Sequence, residues 1–334
     1  IVGGDNDAPT ATNDSGSGFS TDEDTAFTTA SVLANDTDPD TSDVLSVQSI
    51  DTTGTLGSVT DNGDGTFDYD PNGAFEDLAQ GETATDSFTY TVADGNGGTD
   101  TATVEIEVAG VNDAPTSADN TVSTDEDVAY GFAGNEFLFG DVDGDTAQSV
   151  KIVSLPSAGS LTLSGSAVTA GQEVAWSEIG NLSFAPAADE NGTGYASFDF
   201  QVHDGQAYST EHTLTIDVDA VNDAPAATGD SGTGFSTDED TAFTTASVLA
   251  NDTDPDTGDV LSVQSIDTTG TLGTVTDNGD GTFGYDPNGQ FEHLDVGETA
   301  TDSFTYTVAD GNGGTDTATV EIEVAGVNDA PTSG

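Results

Sequence analysis

Asn-Asp-Ala-Pro occurs four times, beginning at Asn6, Asn112, Asn222 and Asn328, so that successive copies lie 106, 110 and 106 residues apart. A fixed period of that length marks a tandem array in which each copy carries its own small core. The 334 residues therefore divide into three repeats, 1–112, 113–222 and 223–334, and a single continuous fold is excluded. Residues 11–117 and 227–333 differ at only nine positions, which in the first copy are Asn13, Ser17, Ser42, Ser58, Asp68, Ala74, Asp77, Ala79 and Gln80. The outer repeats are near-copies of each other. The middle one keeps the punctuation but has its own interior, including Trp176 and Lys151.

Within the first repeat the hydrophobic period is two. Phe88, Tyr90 and Val92 alternate with polar residues, as do Ala102, Val104, Ile106 and Val108, the pattern of strands with one face in a core. Further candidates are residues 10–20, 25–33, 44–50, 56–60 and 65–70, which makes seven strands. Asn62-Gly63-Asp64-Gly65 reads as a hairpin turn, because Gly and Asn tolerate positive φ. The middle repeat shows the same alternation at Phe198, Phe200 and Val202, then at Leu214, Ile216 and Val218. No segment has a helical stripe. Seven short strands in a domain of this size predict a two-sheet Greek-key β-sandwich, and the whole chain an all-β, elongated array of three Ig-like sandwiches.

One Lys or Arg stands against 63 Asp and Glu, a formal net charge of -62. Repulsion excludes nucleic acid and anionic membranes as direct partners, and internal ion pairs cannot offset the charge, so something from solution must. Hydrophobic residues are only 33%, a composition that borders on disorder, but the alternating aromatic runs argue for a conditional fold. Cysteine is absent, which removes disulfides and Cys-ligated metals. No apolar run is long enough to span a membrane, and the given sequence does not open on a charged n-region followed by an apolar h-region. Methionine is absent even at position 1, so the chain is expected to be a piece of a longer polypeptide. Ile1-Val2-Gly3-Gly4 matches an activated protease terminus only by chance.

Strand parity sorts the acids. If the seven strands run alternately up and down, the connections after strands two and six share one end of the sandwich. These carry Asn35-Asp36-Thr37-Asp38-Pro39-Asp40 and Asp94. Asp22-Glu23-Asp24, then Glu76, Asp77 and Glu82, and the exit Asn112-Asp113 fall at the other end. Joining repeats end to end then gathers Glu23, Glu82, Asn112 and Asp113 with Asp141, Asp143 and Asp204. Around Asn222 it gathers Glu126, Asp189, Glu190 and Asp223 with Asp252, Asp254, Asp256 and Asp310. So many carboxylates stay ionised together only around a cation, and an all-oxygen site of high coordination number points to Ca2+. An EF-hand does not fit: Val47 stands where the bidentate Glu belongs, and no helices flank the loop.

The run from Val92-Ala93-Asp94-Gly95 through Thr101–Val108 to Val111-Asn112-Asp113-Ala114-Pro115, with Asp22-Glu23-Asp24-Thr25 and Leu33–Asp40, resembles a cadherin repeat. Taken together these motifs are similar to the bacterial cadherin-like and VCBS-type tandem repeats of large RTX-type surface adhesins. The resemblance implies calcium between repeats, held by Glu23, Glu82, Asn112, Asp113, Asp141, Asp143 and Asp204 at the first junction. At the second it implies Glu126, Glu190, Asn222, Asp223, Asp252, Asp254 and Asp310. Asn6, Asp7, Asp36, Asp38 and Asp94 at one end, and Glu239, Glu298, Asn328 and Asp329 at the other, would be half-sites. Glu82 departs from the family, since it lies outside an Asp-Arg-Glu triplet, and Ala109-Gly110-Val111 adds no acid to the linker.

The resulting expectation is a non-catalytic extender that calcium stiffens, outside the cell on a bacterial surface, serving adhesion or biofilm formation through a distal domain whose ligand is unknown. Its partners are neighbouring repeats of the same polypeptide, and it is a monomer. Two alternatives are weighed: a ligand- or carbohydrate-binding module in the middle repeat, with Phe137, Phe139, Trp176 and Tyr195 as a platform, and homophilic cadherin-type adhesion. An enzyme is disfavoured. The imidazoles are His203, His212 and His293, the last replacing Asp77 of the near-copy, and Asp51-Thr52-Thr53-Gly54 only approximates an aspartic-protease signature. An isopeptide crosslink would have only Lys151 to draw on.

Overall fold

The computed structural model describes residues 4–329; Ile1–Gly3, with most of the protease-like start, and the last five positions of the third repeat lie outside the described residues. Seven strands form in the first repeat: β1 Ser20–Asp22, β2 Phe27–Thr28, β3 Ser46–Asp51, β4 Ser58–Asp61, β5 Phe67–Asp70, β6 Thr83–Ala93 and β7 Thr99–Ala109. They make a four-stranded sheet in the order β1-β7-β6-β3 and a three-stranded sheet in the order β2-β5-β4. The long pair β6/β7 is antiparallel in unbroken register from Thr83↔Ala109 to Ala93↔Thr99. Its alternation sends Phe88, Tyr90, Val92, Val104, Ile106 and Val108 into the core, where they meet Phe67 and Tyr69 from the other sheet.

The first two strands are shorter than the alternation suggests. Residues 10–20 do not make one strand: they bridge at Thr10↔Thr37 and Asp14↔Val104 and then turn, with the Phe19 N–H on the Gly16 carbonyl, before β1 pairs parallel to β7. Residues 25–33 give only β2, then a single 3-10 turn at Val32–Ala34. The Val32 N–H goes to the Gly65 carbonyl of the hairpin turn, so the chain leaves the sheet to close over that turn.

The third repeat copies this layout, with sheets of four and three strands and a matching core around Phe283, Tyr285, Phe304, Tyr306 and Val308. The middle repeat has nine strands rather than seven. Ser164 and Gly165, with φ of 50° and 76°, turn Ser160–Leu163 back onto Ser166–Ala167, and Gln172–Ala175 then adds an edge strand to Ser149–Ile152. Trp176–Asn181 follows as a 3-10 segment.

By compactness the chain divides into two units. One runs to Ser123 and includes Ala129–Ala185 and Gly194–Asp217; the other comprises Thr124–Val128, Pro186–Thr193 and everything from Val218. The division passes through the middle repeat, so the junction at Asn112 lies within the first unit and the junction at Asn222 within the second.

Candidate metal centres at the repeat junctions

Each junction begins with a linker seated on the repeat that follows it. Asn112 Nδ2 donates to Asp204 Oδ2 at 3.1 Å, and the Asp113 N–H donates to Asp143 Oδ2 at 2.8 Å. The same two bonds recur as Asn222 to Asp310 at 2.9 Å with the Asp223 N–H to Asp256 Oδ2 at 2.7 Å. They recur again as Asn6 to Asp94 and the Asp7 N–H to Asp40 Oδ2, both at 2.8 Å. The receiving Asp94, Asp204 and Asp310 are buried. Asp94 Oδ1 also takes the N–H groups of Asn96, Gly97 and Gly98, and the amide of Asn6 with these bonds holds its pKa below the ordinary carboxylate value. Asp310 is lowered for the same reasons. Burial alone would raise Asp204, but the Ala207 and Gln206 N–H groups and the Asn112 amide outweigh it.

The repeat that precedes the linker contributes a buried glutamate. Glu23, Glu126 and Glu239 follow their short first strands and accept the linker N–H of Val111, Val221 and Val327 on Oε1, at 2.7, 2.6 and 2.9 Å. Gly110 lets the linker pass close to the Leu78 and Ala79 carbonyls, where a Cβ would collide. That approach brings the 75–79 turn, and Glu76 with it, beside the site.

Four buried oxygens at the first junction have no hydrogen-bond partner: Glu23 Oε2, Asn112 Oδ1, Asp141 Oδ2 and Asp143 Oδ1. Buried polar oxygens are rarely left so. Ligand oxygens of Glu23, Asp113 and Asp143 lie within 4.8 Å of one another, as do those of Asp141, Asp143 and Asp145. Burial first, then mutual repulsion, pushes Glu23, Glu76 and Asp113 above the usual carboxylate range; the repelling neighbours include Asp143 in each case and Asp24 for Glu76 and Asp113. The second junction groups Glu126, Asp223 and Asp256, and separately Asp127, Asp189 and Asp223. Asp223 and Asp254 each leave an Oδ2 unpartnered there, and burial, then Asp189, Asp127, Asp256 and Glu126, raise Asp223. An all-oxygen, anionic set with unpartnered atoms fits a calcium ion.

The structure brings Glu23, Asn112, Asp113, Asp141, Asp143 and Asp204 together, and likewise Glu126, Asn222, Asp223, Asp254 and Asp310. Of the remaining expected ligands, Glu82, Glu190 and Glu298 are exposed, and Asp36 and Asp252 turn away from the junction. The Glu82 carbonyl receives the Gly110 N–H as β6 begins, while Glu298 turns back to the Asp295 N–H at 3.1 Å. Glu76, Glu292 and the pair Asp127 and Asp189 take the place next to the linker acids, and Glu292 is pushed up by burial, then by Asp240, Asp329 and Glu239.

Asp36 and Asp252 face inward instead. They accept the hydroxyls of Tyr90 and Tyr306 and the N–H of Thr12 and Thr228. The bridges Thr10↔Thr37, Thr116↔Gly140 and Ala226↔Thr253 set the register. Asp38, Asp141 and Asp254 are therefore equivalent, as are Asp40, Asp143 and Asp256, and the expected second-junction pair was two residues early. At the ends, Asp38 Oδ2 and Glu239 Oε2 are unpartnered, and Asn328 Nδ2 bonds to the Asp329 carbonyl at 3.0 Å.

Of the proposed aromatic platform one residue is core and three are half-buried. Phe137 is fully buried, Tyr195 packs edge-on to Phe184 and Trp176 to Phe139, and Trp176 also covers Gly134.

Comparison with known proteins agrees with this construction. The model of the bacterial cadherin-like domain matches residues 6–110 and 222–326, and that of the bacterial Ig domain matches residues 112–217. Mouse cadherin-23 repeats EC22-24 are similar at a TM-score of 0.57 and 16% identity, covering 97% of this chain and 99% of that one. The mouse clustered protocadherin PcdhgC3 EC1-3 is similar at 0.50 and 15%, covering 92% and 99%. At such identities the likeness is one of fold. No curated protein matches the chain. Domains of both families are typically non-enzymatic, adhesion-related and extracellular, cadherin-like domains typically bind Ca2+, and no helix among the described residues is long and apolar enough to cross a membrane. The chain belongs to the bacterial cadherin-like family, with a bacterial Ig domain set between two cadherin-like ones.

Proposed function

We propose that the chain is a calcium-stiffened extender of a bacterial cell-surface adhesin of the RTX type, holding a distal binding domain away from the cell for adhesion or biofilm formation. The unpartnered, buried oxygens of Glu23, Asn112, Asp141 and Asp143 carry this reading. They come from both repeats flanking one linker, so a shared ion would join the two. Glu23, Asp113, Asp141 and Asp143 would be first-junction ligands with the side-chain Oδ1 of Asn112, while Asp204 orients Asn112. Glu126, Asp223, Asp254 and Asp256 would serve at the second. Bound calcium supplies the positive charge that these acids otherwise lack. Each linker N–H bond, from Val111 to Glu23 and from Asp113 to Asp143, ties the linker to one flanking repeat, and the repelling carboxylates oppose closure until they are neutralised. Extracellular calcium modules bind at roughly 10⁻⁴ to 10⁻³ M. On this reading the protein works as a monomer.

Small-angle scattering of the full chain in calcium and then in chelator tests the proposal. A longer, narrower distribution of distances is expected with calcium, and identical curves would count against any clamp. The partly exposed Trp176 and Phe139 keep a carbohydrate module as the second reading. Replacing Trp176 with Ala would then abolish glycan retention without unfolding the middle repeat.

A further inference from the structure

We infer that Asn191 is an amide latch on the second junction, occupying the glutamate oxygen that its counterparts keep open for a cation; this rests on the calcium reading above. Glu23 and Glu239 each give Oε1 to a linker N–H and leave Oε2 buried and without a partner. Glu126 holds the Val221 N–H in the same way, but its Oε2 accepts a hydrogen bond from Asn191 Nδ2 at 2.9 Å. The same distance ahead of Asp94, Asp204 and Asp310 stand Gly81, Asn191 and Gly297. The outer repeats therefore have no side chain where the middle one has the amide.

The consequence is electrostatic. An amide NH₂ bonded to a carboxylate presents hydrogens, and its bond is charge-assisted and stronger than a neutral one. A cation among Glu126, Asp223 and Asp256 either displaces Asn191 or does without one ligand oxygen. The first junction carries no such cost, because Glu23 Oε2 is already free. The Asp127, Asp189 and Asp223 group has no part in this bond, so the latch acts on one ion position rather than on the whole junction. The two junctions of one chain then close at different calcium concentrations, the Asn112 linker first.

A proteinase that cuts on the amino side of aspartate distinguishes them in the full chain. Brief digestion at Asp113 and at Asp223 gives fragments of different mass, so one calcium titration reads both linkers. Half-protection at Asp223 is expected to need about tenfold more calcium than at Asp113, the worth of one charged hydrogen bond. Asn191→Gly, which restores the outer-repeat residue, should bring the Asp223 curve to the Asp113 curve and leave the latter in place. Asn191→Asp, which replaces the donor with a carboxylate, should shift it at least as far and serves if the glycine variant does not fold. Coincident wild-type curves, or an Asp223 curve that neither variant moves, would overturn the latch alone. If neither linker responds to calcium in any variant, the calcium reading falls with it.

Discussion

The outer and middle repeats share their ends and little else. All three put a buried Glu beside the outgoing linker and an Asp pair with a further buried Asp beneath the incoming Asn-Asp. Between those ends they diverge. Phe139 fills the position of Asp36 and Asp252, Ala220 stands in the linker where Gly110 and Gly326 do, and two extra strands appear. The outer repeats bury one acid, Asp14 or Asp230, beside the half-buried Asp36 or Asp252 that accepts the Tyr90 or Tyr306 hydroxyl, and the middle repeat has Phe139, packed on Trp176, at the Asp36 position. A sandwich core tolerates such changes as long as volume and alternation are kept. On the proposed calcium reading the junction is less forgiving, because its oxygens would have to fit a bound ion.

If the ends are what the repeats have in common, calcium should stabilise them all. At a hundredfold excess over the dissociation constant each site contributes about 2.7 kcal/mol, and 1 kcal/mol moves the melting temperature of a domain this size by about 4–8 °C. Calorimetry in calcium and in chelator should therefore show upward shifts on the order of 10 °C or more. A transition that stays in place would separate the middle repeat from the outer ones and break the comparison.

A smaller effect is local to one junction. Asp143→Asn removes a charge from the first junction and keeps an oxygen for the Asp113 N–H, so calcium affinity there should fall by about tenfold or more. The Asp223 linker, which depends on Asp256, should keep its wild-type protection curve. Equal loosening of both linkers would mean that the junctions are not independent.

A third effect separates the cores. Desolvation, with Asp36 or Asp252 alongside, pushes Asp14 and Asp230 up to about 6. A carboxyl raised in the folded state contributes most below its ordinary pKa of 3.8, and that contribution is lost as pH rises through about 6. In chelator the outer repeats should become less stable between pH 4 and pH 7, and Asp14→Asn with Asp230→Asn should flatten part of that slope, read from urea midpoints. The raised junction acids add a slope of the same sign, which calcium should reverse. An unchanged slope in the double variant would deny the buried pair its role.

The alternation at Phe88–Val92 and Ala102–Val108 was enough to place the long strands, and strand parity put the right loops at each end. Register inside the loops was harder to read. Asp36, Asp38 and Asp40 look alike as a string, and only the bridge Thr10↔Thr37 and the hydroxyl of Tyr90 show that Asp36 turns inward. Glu76 left a usable trace: it and Phe75 persist in the near-copy as Glu292 and Phe291, while the residues at 74, 77, 79 and 80 all change. The extra strands of the middle repeat depend on a non-glycine residue, Ser164, entering positive φ, for which the sequence offers only the adjacent Gly165.

Glu76 and Glu82 give the finest test of which end residues are shared. Burial, then Asp113, Asp24 and Asp143, raises Glu76, so its charge opposes the empty junction and would aid a filled one. Glu76→Gln should therefore stabilise the chelated protein slightly and weaken calcium binding severalfold, two changes of opposite sign from one substitution. Glu82 is exposed and offers the junction only its backbone carbonyl, to Gly110. Glu82→Gln should change neither quantity measurably. Isothermal titration on both variants decides between them, and a loss of affinity at Glu82 with none at Glu76 would return the pre-strand ligand to the position that the family resemblance first suggested.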